Sequence, residues 1–409
     1  MIGRVAKILV CAVLMASLSA AAKEPEEKKV GYSVTKWVYK RLTEAHELLD
    51  KNKYREALSV MNSMKGRARL NPHEQALMWQ TFGYIYANME KTSKAIESFE
   101  KCLQIGALPE QTKLDLQFSL GQLYMVNSQF KQAVKTLNDW MGKVNNPSPD
   151  AKYLLAMAYT QTKQWKKALY WAQAAIAGVR RPKESWLQLV LSIHYELKQY
   201  RDMARVLEQL VTRFPKKAYW MQLSAIYMEM KQEERALAVL ELVYRQNMLT
   251  THSELMNLVS LYLHRGIPQK AARVLEKGLK SGAIKRNEQT LTMLGDSWMR
   301  AREFELAARP LGEAARVAKK GDLWVRVAQI YMEQEQWDQA IAAMEKAISK
   351  GSLTSPGNAH LFLGICHFNS GKYSKAQKAF QNALKHKSSR RSAEQWLKTL
   401  ALKQKARAQ

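Results

Sequence analysis

Metal and nucleophilic chemistry in a chain of this kind would rest first on histidine and cysteine, of which it has eight and three. The histidines are His46, His73, His194, His252, His264, His360, His367 and His386. No two of them stand one helical turn apart, the spacing that lets a helix present a metal-ligating pair. His360 and His367 lie two turns apart, and His367 falls at a position that other parts of the chain fill with a core aromatic. Cys102 and Cys366 sit inside apolar helical patterns far apart in sequence, which predicts two buried thiols rather than a disulfide or a metal pair. There is no glycine-rich phosphate loop, nucleophile elbow or HExxH. The sequence therefore supplies no catalytic residues, no cofactor or metal site and no small-molecule substrate, and the expectation is a protein that is not an enzyme.

The residues that do suggest a task are apolar. Phe118, Met125, Tyr153, Met157, Trp186, Met221, Met228, Met256, Met299 and Met332 recur along one stripe of successive helices, with Ile193, Leu263, Leu361, Ile365 and Phe368 beside them. Methionine and aromatic side chains adapt to a bound peptide or helix. The same stripe could instead pack neighbouring helices on one another, and both uses stay open at this point.

The elements that carry the stripe are read from Asp322 to Ala347. Trp324, Val327, Ala328 and Tyr331, then Trp337, Ala340, Ile341, Met344 and Ala347, recur at three- and four-residue steps, so each set marks one face of a helix. A small residue on the first helix is followed twelve positions later by an alanine on the second. The pairs are Ala45/Ala57, Gly83/Ala95, Gly121/Ala133, Ala156/Ala168 and Ser192/Ala204, then Ser224/Ala236, Val259/Ala271, Gly295/Ala307, Ala328/Ala340 and Gly364/Ala376. Three residues after the small position stand Tyr86, Tyr124, Tyr159, Tyr195, Tyr227, Tyr262, Trp298 and Tyr331. About one turn before many of the alanines stands another aromatic: Tyr54, Phe130, Trp165, Tyr200, Phe304, Trp337 or Tyr373. This pattern resembles the tetratricopeptide repeat, whose W…LG…Y…A…F…P signature is nearly complete in Trp79, Gly83, Tyr86, Ala95, Phe99 and Pro109. The resemblance implies an all-α fold, a solenoid of about ten helix-turn-helix repeats in a right-handed superhelix with the first helices lining its concave face.

Around that solenoid, assigned to residues 34–387, the ends differ in composition. Residues 1–22 have Arg4 and Lys7, an apolar run from Ile8 to Leu18 and Ala20-Ala21-Ala22, which together read as a cleaved secretory signal peptide. The charged segment 23–33 reads as a flexible lead-in, and 388–409 as a capping helix, with Trp396, Leu397, Leu400 and Leu402 on its apolar face, followed by a basic tail. The formal net charge is +28, or +26 once Arg4 and Lys7 are removed. Such an excess ordinarily points to nucleic acid. Here the export signal and the lack of any RNA-binding signature argue against it. A solvated basic surface, or attraction to anionic membrane lipids or acidic protein segments, fits the scattered runs better.

A narrower resemblance covers the mature chain. SPDAKYLLAMAYTQTKQWKKAL (148–169), FPKKAYWMQLSAIYMEM (214–230), LTTHSELMNLVSLYLHRGIPQKAARVLEKGL (249–279), LWVRVAQIYMEQEQW (323–337) and SRRSAEQWL (389–397) are similar to exported tetratricopeptide proteins encoded with TonB, ExbB and ExbD in Gram-negative bacteria. That resemblance implies a periplasmic scaffold serving TonB-dependent uptake of iron carriers. Its expected partners are the periplasmic parts of TonB or ExbD, or a segment of an outer-membrane receptor. The alternative is a periplasmic scaffold for envelope or peptidoglycan assembly unrelated to TonB. A peptide C-terminus clamp is not expected, because no Lys, Arg or Asn stands three before or one after any small position. The leader predicts a mature chain that begins near Lys23 and is released by osmotic shock without detergent; N-terminal sequencing checks it, and recovery of the full-length chain only in detergent extracts would contradict it.

Overall fold

The computed structural model describes residues 32–66 and 69–408, so the leader assigned to 1–22 lies outside the described residues. All of the regular structure described is α-helix. First helices are α1 (Lys36–Asp50), α3 (Pro72–Asn88), α5 (Glu110–Val126), α7 (Pro149–Gln161) and α9 (Glu184–Glu196), then α11 (Lys217–Glu229), α13 (His252–His264), α15 (Glu288–Arg300), α17 (Asp322–Glu333) and α19 (Pro356–Asn369). Each is followed by a second helix: α2 (Tyr54–Lys65), α4 (Thr92–Ile105), α6 (Phe130–Met141), α8 (Trp165–Ala177), α10 (Tyr200–Arg213), α12 (Glu233–Arg245), α14 (Pro268–Ser281), α16 (Phe304–Val317), α18 (Trp337–Lys350) and α20 (Tyr373–Leu384). The last helix is α21 (Arg390–Ala408). This is the tetratricopeptide-repeat solenoid that the sequence pattern implied. The chain divides into two compact units at the Phe214–Pro215 joint, where the sequence suggested one continuous array. Each unit holds five helical hairpins, and α21 closes the second.

One turn geometry makes every hairpin. In the fourth repeat the Gln164 N–H donates to the Tyr159 carbonyl at 2.9 Å and the Lys163 N–H to the Thr160 carbonyl at 3.0 Å. These are the two bonds of a Schellman motif, which satisfies the last carbonyls of one helix while the chain reverses. The residue after each first helix's cap is left-handed, with φ between 54° and 75°. Only Gly266 and Gly371 are glycine there; Asn52, Glu90, Ser128, Lys163, Lys198, Lys231, Arg302 and Glu335 take the same conformation at a cost of about 1 kcal/mol each. The packing of the following helix has to offset that cost.

The small position does the job its size suggests. A β-carbon added at Gly83 would lie 2.0 Å from the Phe99 ring, and one at Gly364 would lie 2.4 Å from Phe380. Glycine lets the first helix settle against a large side chain seven residues into the second. Between repeats, capping fixes where first helices begin. Asn71 with Glu74 and Thr251 with Glu254 form capping boxes, and Pro72, Pro149 and Pro356 open their helices. Glu74 also accepts from the Thr35 N–H at 2.8 Å and hydroxyl at 2.7 Å, which ties the start of α1 to the start of α3. Burial works against the Glu74 charge, yet these bonds hold its pKa below the ordinary value.

Two sequence assignments change. In the fifth repeat the Gln199 N–H bonds the His194 carbonyl, the bond that elsewhere marks the tyrosine place. His194 is 4% exposed and Tyr195 64%. The repeat is therefore set one residue earlier than the Ser192/Ala204 pairing, with Leu191 at the crossing and Met203 at the alanine place. At the C-terminus, Trp396 and Leu397 pack on the final core and Leu400 is buried, but Leu402 points to solvent at 70% exposure. Gly83→Ala should lower stability by about 1–3 kcal/mol, because the new methyl overpacks the seam. Gly66→Ala, with nothing within 4 Å of its added carbon, should leave stability almost unchanged. Thermal and urea melts followed by circular dichroism measure both.

Candidate functional site

First helices of neighbouring repeats touch directly, α1 with α3 and α7 with α9 in the first unit, and α19 with the capping helix in the second. Among the described residues no pair of second helices makes a contact of comparable extent. At these junctions first helices approach one another more closely than second helices do. What occupies the stripe differs between the units.

In the first unit the large aromatic residues are already used. Phe118 of α5 lies against Trp140 of α6, with ring centroids 4.7 Å apart. Tyr153 of α7 stacks on Trp186 of α9 at 5.2 Å, and its hydroxyl donates to the Ser185 carbonyl at 3.4 Å. Burial pushes the Tyr153 phenol up. Trp186 itself is 3% exposed and Ile193 is fully buried, so neither belongs to an open surface. The reason is the shifted register of the fifth repeat, whose stripe is Gln188, Ser192 and Tyr195, all exposed. Tyr195 is thus the stripe residue that the spacing missed. Counting back six residues from Tyr200, the aromatic that opens α10, would have identified His194 as its buried neighbour. Met125 and Met157 stay on the stripe, half-buried.

In the second unit the stripe is less committed. Met228 of α11 is 42% exposed, and Met221, Met256 of α13 and Met299 of α15 are half-buried. Met332 of α17 packs on the cluster of Ala340, Ile341 and Cys366. Phe368 is held between Tyr373 and Trp396, with Leu361 buried beneath the cap. The open portion therefore runs over α11, α13 and α15. Its far side is bounded by an ion pair between Asp296 of α15 and Arg326 of α17, and burial lowers the Arg326 pKa.

Behind the stripe, repeats are joined by a polar contact at the tyrosine place. Tyr124 donates to Glu100 at 2.5 Å, Tyr159 to Asn138 at 3.1 Å and Tyr262 to Glu241 at 2.7 Å. Each acceptor lies eight residues into the preceding second helix. Burial raises the Tyr124 and Tyr262 pKa values, and the carboxylate acceptors raise them further. A cation from the same repeat lies over several of these rings: Lys94 over Tyr86, Lys167 over Tyr159, Arg235 over Tyr227 and Lys270 over Tyr262, at 5.6–5.8 Å. These perturbed groups belong to packing.

Among the described residues no group of three or more His, Cys, Asp and Glu could hold a metal ion, and no helix is long and apolar enough to cross a membrane. Cys102 is buried in the first unit, its thiol donating to the Ala76 carbonyl at 3.0 Å, and Cys366 is buried in the second. Burial pushes both thiols up to about 12.

Two family models match parts of the chain: anaphase-promoting complex, cyclosome, subunit 3 over residues 88–175, and tetratricopeptide repeat over residues 327–395. No curated protein matches it. Among solved structures, the chain is similar to a chain of Naa15/Naa10 bound to HypK-THB, with 14% identity and a TM-score of 0.44, covering 87% of this chain and 64% of that one. It is also similar to a tetratricopeptide repeat protein from Parabacteroides merdae, with 17% identity and a TM-score of 0.38, covering 64% of this chain and 99% of that one. YrrB, a tetratricopeptide repeat protein with an unusual peptide-binding site, matches with 15% identity and a TM-score of 0.35, over 48% of this chain and 99% of its own. The repeat fold is in general a protein-interaction scaffold rather than a catalytic one.

Thiols raised this far hold almost no thiolate at pH 8, and the thiolate is the reactive form. Iodoacetamide should therefore leave Cys102 and Cys366 unmodified in the native protein and label both after unfolding without reductant. Intact mass reads the outcome, and labelling of the folded chain within minutes would contradict the burial described.

Proposed function

We propose that the protein is a periplasmic, non-enzymatic adaptor that docks a segment of a protein partner on the methionine stripe of its second unit. We further assign that partner to the TonB-dependent transport system: the periplasmic domain of TonB or ExbD, or a receptor segment. The observation that carries the docking part is the open run of Met221, Met228, Met256 and Met299, with Met228 at 42% exposure among half-buried neighbours. Unbranched thioether side chains re-pack around an incoming apolar surface at little rotameric cost, which suits an amphipathic segment. What supports the export and TonB part is the leader at 1–22 and the five similar stretches between 148 and 397. The basic surface would add attraction to anionic lipid or acidic protein without fixing the docking register.

The test replaces Met221, Met228 and Met256 by Glu, singly at Met228 and then together. Each large apolar side chain buried against a partner contributes about 1.5–3 kcal/mol. Loss of three should therefore weaken capture of the TonB or ExbD periplasmic domain by two orders of magnitude or more, at about 1.4 kcal/mol per tenfold. Tyr227→Ala, a seam residue, should instead lower the melting temperature first, since truncating a core aromatic costs about 3–5 kcal/mol. A folded triple variant that captures the partner like wild type removes the stripe as the docking site. A wild-type protein that captures none of these domains removes the TonB assignment.

A further inference from the structure

At the junction of the ninth and tenth repeats the tyrosine place holds His367. At three other junctions the tyrosine hydroxyl reaches an acceptor on the preceding second helix, as Tyr262 reaches Glu241. The imidazole is shorter, and a cleft of about 380 Å³ opens between α18 and α20 with α19 as its floor. Glu345, at the acceptor place on α18, makes no hydrogen bond or ion pair among the described residues. His367 is 4% exposed, lines the cleft, and its Nδ1 has no partner. Burial lowers its pKa, with Lys375 and Lys372 acting in the same direction against Glu345.

Lysine chemistry faces the same opening. Lys375 stands where Lys94, Lys167 and Lys270 stand over tyrosine rings, and Lys378 follows one turn later; both are exposed and neither is in an ion pair. From Lys372 to the end of the chain there are eleven Lys or Arg residues against one acidic residue, Glu394. Ile348, Leu363 and Ala379 give the cleft apolar walls.

We propose that this cleft seats a side-chain carboxylate from an acidic segment of a protein partner, paired by Lys375 and Lys378 and accepting a hydrogen bond from His367. The apolar walls take the methylenes of that side chain, which favours a glutamate over a bare inorganic anion. Glu345 opposes the bound charge and so limits affinity. The cleft lies between second helices, away from the methionine stripe, so this inference stands or falls separately from the docking site proposed above.

Fluorescence anisotropy at low ionic strength with labelled hexaglutamate, against hexaglutamine as control, tests it on the full mature chain. Lys375→Ala with Lys378→Ala should weaken hexaglutamate binding by about tenfold or more, while Lys398→Ala with Lys403→Ala on α21 should change it by less than about threefold. Glu345→Gln should tighten binding by about two- to fivefold, an increase that damage to the fold would not produce. Met228→Glu should leave this binding unchanged, which separates the cleft from the stripe. Equal losses from the two lysine pairs, an unchanged or weakened Glu345→Gln variant, or no preference for hexaglutamate over hexaglutamine would each overturn the proposal. So would tighter binding to anionic phospholipid vesicles that the Lys375 and Lys378 substitutions reduce equally, because the site would then be a membrane contact.

Discussion

At Gly83 the edge of Phe99 occupies the space where a β-carbon would stand, and the same holds for Gly121 with Leu137, Gly295 with Leu311 and Gly364 with Phe380. This close crossing sets the distance between the two helices of a hairpin, and the Schellman turn sets their rotation. With both fixed, the residue three places after the crossing must point at the preceding repeat, and the residues three before, one after and four after share another flank of the helix. The seam, the joint between repeats and the exposed stripe are therefore three consequences of one approach. Where the crossing residue is larger, as with Leu191 in the fifth repeat, the two helices make less extensive contact than in the glycine-centred hairpins.

The joint between repeats adds a polar condition to this apolar frame. A tyrosine buried against the preceding repeat carries a hydroxyl that needs an acceptor. Glu100, Asn138 and Glu241 provide it from equivalent positions. The Glu241 carboxylate is held in turn by Lys270 at 2.6 Å, so one anion serves both a phenol and an ammonium. Substituting histidine changes this balance in two ways. His194 turns inward to Gln199 at 2.6 Å within its own repeat, whereas His367 finds no such partner and leaves space above Glu345. The same residue type at the same place thus finds a partner in one repeat and none in the other, and the difference lies in whether a local acceptor such as Gln199 is present.

Much of this frame was legible because small residues and aromatics are forced by sterics that act within a few turns. The crossing glycines, the aromatic that opens most second helices and the capping prolines all have local causes, and their spacing reads directly from the chain. The fifth repeat was misread for the same reason: Ser192 is small and Tyr195 aromatic, yet neither occupies the place its type suggests. Only the turn, marked by Lys198 and the bond from Gln199 to His194, fixes the register. Burial of Trp186 was not legible, since it depends on Tyr153 reaching across from the preceding repeat. The break at Phe214–Pro215 has a sequence mark, but the mark is shared by joints that do not divide the chain.

Size decides what becomes of a stripe residue. Phe118 and Tyr153 are long and rigid enough to reach Trp140 and Trp186, so on the first unit they hold elements together and leave little open surface. Methionine at the equivalent places of the second unit is no shorter, but its rotatable bonds let it lie along the helix, and its contacts do not lock one geometry. At Met332 a neighbouring cluster captures it; at Met228 nothing comparable does. Apolar surface left this way would promote self-association in a chain of low charge. A net charge of +28 opposes that by repulsion between copies. Strong basicity thus offsets the self-association that exposed methionine would otherwise favour.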